Sequence, residues 1–336
     1  MTLIRDLRLA LRSQARSPGL TAATTLTLGL AFGVGAAVFG VLHSVVFSPL
    51  PFEDADRLVI VRHFDSETGA GDFTSSFPQF LDYRREVTSF SGMAGWRTLR
   101  PTLTADDGAS PERITIVAAT YNLLPLLGIE PILGRAFTEE DDRIGAAPTA
   151  ILSHAHWSAR FGADAAVIGR TVRIDGIAHN VVGVLGEGFR VERTGTRLVP
   201  SGATDVWLPY RASLGAEGMD IRGLSNVNVI ARLAPSVTVE EAGREMNLLA
   251  GRLASEYREF ENLGVRVVGA QRAVTEPVRP AMALLFGSGI MVFLIACTNV
   301  LTLILGRASD RGAEIAVRTA LGAGRARLVQ LFVAEA

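Results

Sequence analysis

The chain has 336 residues, of which 48% are hydrophobic and 20% charged, and its net charge is −1. This balance offers no basic surface for nucleic acid. All 33 basic Lys+Arg positions are arginine, which excludes a phosphate-loop lysine, a Schiff-base lysine and therefore an ATP-hydrolysing site of the usual kind. The single cysteine, Cys297, excludes an intrachain disulfide and a multi-cysteine zinc site.

The N-terminal segment, residues 1–16, is predicted to be an amphipathic helix on the cytoplasmic face of a membrane. Its arginines would reach the phosphates of membrane lipid. Two sets of side chains recur there at helical spacing: apolar Ile4, Leu7, Leu11 and Ala15, and basic Arg5, Arg8, Arg12 and Arg16.

Residues 17–52 contain no Asp, Glu or Arg and are predicted to hold the first transmembrane helix. The apolar part, 20–47, exceeds the 20 or so residues that a bilayer requires. A cleaved signal peptide is the alternative, but the stretch is longer than an h-region of about 7–15 residues and no A-x-A site follows. Gly29-x-x-x-Gly33 either allows close helix packing or reflects the glycine content of membrane helices.

A second uncharged apolar run, residues 281–306, predicts a second transmembrane helix. Arginines lie before the first run and after the second, so the positive-inside rule places both chain ends in the cytoplasm. Residues 53–279 would then lie outside, as a periplasmic or extracellular domain of a protein in the cell inner (cytoplasmic) membrane.

The segment between the two runs has a mixed α and β pattern. Strands are predicted at Leu58–Val61 and Asn226–Leu233, and residues 171–184 read as a hairpin whose turn is Asp175-Gly176. Thr238-Val-Glu-Glu241 is a capping box that opens an amphipathic helix. Its buried face would carry Ala242, Met246, Leu249 and Leu253.

Gly- and Pro-rich stretches at 104–112 and 195–204 suggest a domain in two parts. One part would pair 53–103 with 222–277, and the other would be an insertion at about 104–221. The predicted fold class is therefore an α+β periplasmic domain of two subdomains, with mixed sheets and helices, inserted between two transmembrane α-helices.

Few residues suggest chemistry. His154-x-His156 suggests a metal site, but residues two apart on a helix point to different faces and no cysteine or third histidine is near in sequence. The acidic run 139–142 is read as a solvated loop, with a cation site as the alternative. The three tryptophans, Trp96, Trp157 and Trp207, are read as packing residues. No G-x-S-x-G elbow is present, so we expect no enzyme, no metal and no cofactor.

Several ordered blocks resemble known membrane proteins. The blocks before residue 200 resemble the MacB-type periplasmic domain, and the later ones resemble the FtsX/MacB permease module. The first set is AATYNLLPLLGIEPILGRAFT at 118–138, ILSHAHW at 151–157, Phe161-Gly162, VIGR at 167–170 and HNVVGV at 179–184; the second is IACTNV at 295–300 and RGAEIAVRTALGAGR at 311–325.

The resemblance implies the permease subunit of an ABC-type transporter or mechanotransmission complex. A cytoplasmic ABC ATPase on a separate chain would drive the periplasmic domain, for export of or action on a hydrophobic or peptide-like substrate. The resemblance also implies a periplasmic adaptor or protein partner and a homodimer or internally duplicated permease. Because the family has four spans per module, 307–336 reads as the truncated start of the permease module.

The family's coupling helix, which docks on the ATPase, matches residues 314–325. The alternative is a plain basic segment held by anionic lipid. The residues that would form the docking surface are Glu314, Arg318, Leu321, Gly322, Gly324 and Arg325.

Two other functions stay open at this point. The chain also resembles the duplicated orphan permeases typified by acidobacteria, which often lack an adjacent ATPase, so a membrane binding or signalling protein without transport is the alternative. A membrane-anchored hydrolase is the third and least supported possibility. A neighbouring ATPase gene would favour transport, whereas a bound periplasmic protein would favour signalling.

Overall fold

The computed structural model describes residues 18–42, 50–99, 102–104, 112–187, 204–214 and 220–310. The chain divides into two compact units. One, the helical unit, comprises Met1–Ser48 and Val278–Ala336, and the other, the sheet domain, is Pro49–Pro277. The predicted amphipathic helix at 1–16 lies outside the described residues, as does the permease-module segment beyond residue 310.

The described helices and strands follow one another along the chain. The first ten are α1 (Pro18–Leu42), β1 (Leu58–Asp65), α2 (Phe77–Glu86), β2 (Phe90–Leu99), β3 (Thr102–Thr104), β4 (Glu112–Arg113), β5 (Ile116–Ala119), α3 (Leu123–Leu126), β6 (Leu133–Gly134) and β7 (Thr149–Leu152). The remainder are α4 (His154–Phe161), β8 (Thr171–Ile174), β9 (Ile177–Val184), β10 (Val206–Pro209), α5 (Tyr210–Leu214), β11 (Asn228–Leu233), α6 (Val239–Glu256), β12 (Leu263–Gly269), α7 (Ala270–Thr275) and α8 (Arg279–Asp310).

The twelve strands of the described residues form one mixed sheet, in the order β12-β1-β11-β2-β5-β10-β7-β9-β8-β3-β4, with β6 beside β9. The β10–β5 and β7–β9 pairs are parallel and the other pairs are antiparallel. We predicted more than one sheet, and the long strand β2 explains why there is one. It pairs with β11 along residues 90–96 and with β5 along residues 96–99.

The strands of 58–99 and 228–269 therefore occupy one end of the sheet, and those of 102–209 occupy the other. Whether these two ends form the separate subdomains that the sequence suggested stays a prediction.

Two local predictions about strands are confirmed. β8 and β9 form the expected hairpin, and both turn residues, Asp175 (φ 46°) and Gly176 (φ 81°), have positive φ as a two-residue turn of this kind requires. The predicted strands at 58–61 and 226–233 are present as β1 and β11.

The central strands are buried on both faces. Successive side chains of a strand point to opposite sides of the sheet, so one strand contributes to two hydrophobic clusters. On β1, Val59 and Val61 join one hydrophobic cluster while Leu58 and Ile60 join another. A third cluster lies at the other end of the sheet. It includes Trp157 of α4.

The helices cover these clusters. α2 and α6 contribute to the first cluster, and α3 and α7 contribute to the second. α6 buries the predicted face and begins at the predicted capping box of Thr238 and Glu241. The three tryptophans, Trp96, Trp157 and Trp207, are buried in the clusters, as expected for packing residues.

One close backbone contact explains two glycines of the sequence blocks. Gly134 of β6 is directly opposite Gly183 of β9. A Cβ at Gly134 would lie 2.1 Å from the carbonyl oxygen of Val182, and a Cβ at Gly183 would lie 2.4 Å from that of Arg135. Gly134 also has φ +72°. Any larger residue would separate these strands.

The helical unit consists of α1 and α8 in its described part. Phe32 of α1 contacts Phe293 of α8 edge to face, with ring centroids 6.0 Å apart. One helical segment of the described residues, Arg279–Thr302, is long and apolar enough to cross a membrane. The apolar segment of α1, Thr25–Gly40, is shorter than Arg279–Thr302. Residues 43–49 lie outside the description, so the first span at 17–52 stays a prediction.

Candidate functional site

The predicted ATPase-docking residues, Glu314 to Arg325, lie outside the described residues. Among the described residues of the sheet domain, a cleft of about 410 Å³ lies beside α2. We call it the α2 cleft. It is lined by residues of α2, by Thr120 and Tyr121 before α3, by Glu139 and Asp142, and by Arg211 of α5.

The apolar wall of the cleft comes from one face of α2. This helix begins where the Ser76 hydroxyl accepts a hydrogen bond from the backbone N–H of Gln79. Residues three or four apart share a helix face, so Phe80 and Leu81 lie next to Arg84. All three line the cleft together with Phe77.

Stacking brings the distant residue Arg211 to the same place. The ring of Tyr210, which is fully buried, stacks on Phe77 with centroids 4.9 Å apart. Arg211 follows directly, and its backbone N–H donates to Asp142 at 2.7 Å.

Asp142 connects three segments at the base of the cleft. Besides Arg211, it accepts a hydrogen bond from the backbone N–H of Tyr121 at 3.3 Å. Burial raises the pKa of Asp142 to about 6, although the two backbone N–H groups and the charges of Arg211 and Arg84 act in the opposite direction. Both carboxylate oxygens are thus occupied by the protein itself.

The reading of 139–142 as a solvated loop is wrong for its two aspartates and holds for its two glutamates, which are exposed. Asp141 and Asp142 are both buried. Asp141 accepts bonds from the Arg135 guanidinium, at 2.5 and 3.1 Å, and from the backbone N–H of Thr138. The sequence places like charges side by side, and only the fold shows that each aspartate has its own donors.

The arginines of the cleft differ in how their charge is balanced. Arg85 is paired with Asp82 at 3.1 Å and with Glu86 at 3.0 Å. Arg84 instead donates to the Tyr121 hydroxyl at 3.1 Å and lies 5.5 Å from the centre of that ring. Within the described part of the chain, no carboxylate oxygen lies within 4 Å of the guanidinium of Arg84 or Arg211.

The two histidines of α4 do not meet at one site. His154 Nδ1 is 3.5 Å from Glu187, whereas the buried His156 has Nδ1 3.8 Å from Asp205. Across the described residues, no group of three or more His, Cys, Asp or Glu side chains could hold a metal ion.

Sequence reasoning found part of the α2 cleft without recognising it. Tyr121 lies in the first family-like block and Asp142 in the acidic run, but nothing in the sequence marks Arg84 or Arg211. Arg211 reaches the cleft through contacts between distant segments, because β10 pairs with β5 and Tyr210 stacks on Phe77. No local pattern predicts these contacts.

A mixed sheet with helices on both faces defines an α/β domain, and in sequence it lies next to a helix long and apolar enough to cross a membrane. The profile of the MacB-like periplasmic core domain matches residues 21–249. This chain belongs to that family.

Similar proteins agree with this assignment. Over 223 residues the chain is 26% identical to a probable export ATP-binding/permease protein of Pseudomonas fluorescens Pf-5; the match covers 66% of this chain and 32% of that protein. The chain thus spans about a third of the relative's length.

Two solved structures are similar to this chain. A domain of a protein assigned as a permease from Porphyromonas gingivalis matches with a TM-score of 0.50 and 19% identity, covering 65% of this chain and 92% of that domain, and shares its fold. The periplasmic region of MacB from Actinobacillus actinomycetemcomitans matches with a TM-score of 0.48 and 13% identity, covering 67% and 94% of the two chains.

Proposed function

We propose that this chain is the permease component of an ABC-type export system, not itself an enzyme. The main evidence for this proposal is the family match over residues 21–249, and the similarity to the export permease relative supports it. The absence of lysine from these 336 residues is in keeping with this function, because an ATP-hydrolysing site of the usual kind would then lie outside them.

The proposed arrangement has α1 and α8 crossing the inner membrane and the sheet domain in the periplasm. Both helices expose large apolar side chains, such as Leu30 (71% exposed) on α1 and Leu284 (77% exposed) on α8. In water such surfaces would be unfavourable, whereas lipid tails would cover them. Gly29 and Gly33 have open space around them, which leaves room for a further permease helix.

Coupling would run through the segment at 314–325. A cytoplasmic ATPase would bind it, and the helices would transmit the ATPase motion to the sheet domain, moving a hydrophobic or peptide-like substrate. A homodimer, or an internally duplicated permease, and a periplasmic adaptor would complete the complex.

Co-purification tests this function. The tagged full-length gene product is solubilised gently from native membranes, and the proteins bound to it are identified and quantified. We expect a stoichiometric ABC ATPase that is lost in Arg318→Glu plus Leu321→Asp, because the double change reverses a charge and removes an apolar contact. The matched control is Arg318→Lys plus Leu321→Met, which keeps charge and volume and should retain the ATPase.

Two outcomes would contradict the proposal. If the charge-reversal variant kept the ATPase, the coupling segment would lie elsewhere. If no ATPase bound and a periplasmic protein was recovered repeatedly, the chain would be a binding or signalling protein.

A further inference from the structure

We propose that the α2 cleft binds a small amphipathic anion, with a carboxylate or phosphate head and an aromatic or alkyl body. The site lies in the sheet domain and is separate from the proposed ATPase coupling. Its volume of about 410 Å³ falls within the 300–1,000 Å³ range of small-molecule sites.

The charges that line the cleft favour an anion. Arg84 and Arg211 both line it without a carboxylate partner in the described residues, whereas Arg85 is already paired with Asp82 and Glu86. A planar guanidinium offers paired donors that match the oxygens of a carboxylate or phosphate. Two such groups beside one cavity would repel a cationic ligand.

Arg211 carries a second, independent sign of a missing partner. Its Nε is buried and has no hydrogen-bond acceptor among the described residues. Buried donors are nearly always bonded, so this arginine is incompletely compensated by the part of the fold that surrounds it. The backbone N–H of the same residue is already held by Asp142, which fixes the place of the arginine.

Among the described residues, neither acidic side chain of the cleft forms an ion pair within 4 Å of these arginines, although the charge of Asp142 acts on both. Both oxygens of Asp142 accept backbone N–H groups, from Tyr121 and Arg211. Glu139 lines the cleft but is an exposed side chain, where solvent screens its charge.

The remaining wall determines the body of the ligand. Phe77, Phe80 and Leu81 give an apolar surface, and Tyr121 adds a ring that Arg84 partly covers. A flat or branched hydrocarbon group would bury its apolar area there. A purely polar anion would leave that apolar surface without an apolar partner.

Binding of 3-phenylpropionate to the purified full chain, followed by saturation-transfer NMR titration, tests the site. The neutral amide of this acid is the control ligand, because it enters detergent micelles at least as readily. Tighter binding of the carboxylate than of the amide would therefore indicate contact with the arginines. We expect the amide to bind about tenfold more weakly, since one charged hydrogen-bonding contact is lost. Acetate has the carboxylate without the apolar body, so its binding tests the contribution of the apolar wall. Phenyl phosphate shows whether a phosphate head is preferred.

Single variants assign the effect to the cleft. Arg84→Gln and Arg211→Gln should each weaken binding of 3-phenylpropionate about tenfold. Arg244→Gln, at an exposed arginine of α6 outside the cleft, should leave binding unchanged. Because Arg84 is exposed, its variant is expected to fold even if the Arg211 variant does not.

The proposal is overturned if the amide binds as tightly as the carboxylate or if Arg84→Gln binds like the native chain. These titrations need no ATPase, so their failure would leave the export function untouched, and loss of the ATPase partner would leave the cleft untouched.

Discussion

At the scale of single residues, the Asp142 carboxylate connects two segments of the chain by hydrogen bonds. It joins the backbone of Tyr121 to that of Arg211, and so holds together the segments that line the α2 cleft. Its burial raises its pKa to about 6, which means that the ionised form is unfavourable in the fold despite the donors around it.

Asp142→Asn is expected to remove a pH-dependent contribution to stability. Because the pKa of about 6 in the folded chain lies above the ordinary 3.8, the stabilising proton is fully bound below about pH 4. That stabilisation is lost as the pH rises through 6. The free energy of unfolding of the variant minus that of the native chain should therefore increase by about 2 kcal/mol between about pH 4.5 and about pH 7.5.

Denaturant titration followed by tryptophan fluorescence measures this difference, since all three tryptophans lie in the sheet domain. Burial lowers the pKa of His63 to about 4, so its contribution has the opposite pH dependence, but it is common to both proteins and cancels. A difference that does not change with pH would show that Asp142 titrates normally.

At the scale of elements, α6 begins at the capping box that the sequence predicts. The Thr238 hydroxyl accepts a hydrogen bond from the N–H of Glu241, whose carboxylate accepts one from the N–H of Thr238. The backbone and side-chain bonds from Thr238 hold the pKa of Glu241 below its usual value. Farther along, Glu245 accepts bonds from the backbone N–H groups of Thr88 and Ser89, which attaches the helix to the segment after α2.

Thr238→Ala is expected to lower the free energy of unfolding of the chain by about 1 kcal/mol, because one N–H at the start of α6 loses its acceptor. Thr238→Ser keeps the hydroxyl and should retain native stability. The midpoint of denaturant unfolding, compared among the three proteins, checks both expectations. Equal midpoints for the alanine and serine variants would mean that packing alone holds the start of α6.

Some elements could be predicted from sequence because their cause is local. A capping box, a turn with two positive φ angles and an alternating apolar pattern each act within a few residues, so α6, the β8–β9 hairpin and β11 were found. The joining of the strands into one sheet was not, because it depends on how β2 divides its pairing between β11 and β5. The α2 cleft was missed for the same reason, since Arg211 reaches it through contacts between distant segments.

At the scale of the whole molecule, the number of membrane crossings decides where the sheet domain works. If α1 and α8 both span the bilayer, the domain lies on the side opposite to both chain ends. If only α8 spans, as the length of the apolar segment of α1 would allow, the domain shares a side with the N-terminus. The two arrangements therefore differ in which compartment the N-terminal segment occupies relative to the domain.

Single-cysteine labelling separates these arrangements. In a Cys297→Ala background, Ser13→Cys, Ser255→Cys and Ser309→Cys mark the N-terminal segment, the exposed end of α6 and the end of α8. With two spans, a membrane-impermeant maleimide should label Ser255→Cys in intact cells and the other two only after lysis. Labelling of both Ser13→Cys and Ser255→Cys in intact cells would establish a single span, and the ATPase would then have to act on the α8 side alone. Protection of Ser255→Cys would put the sheet domain in the cytoplasm and remove the basis for a periplasmic partner.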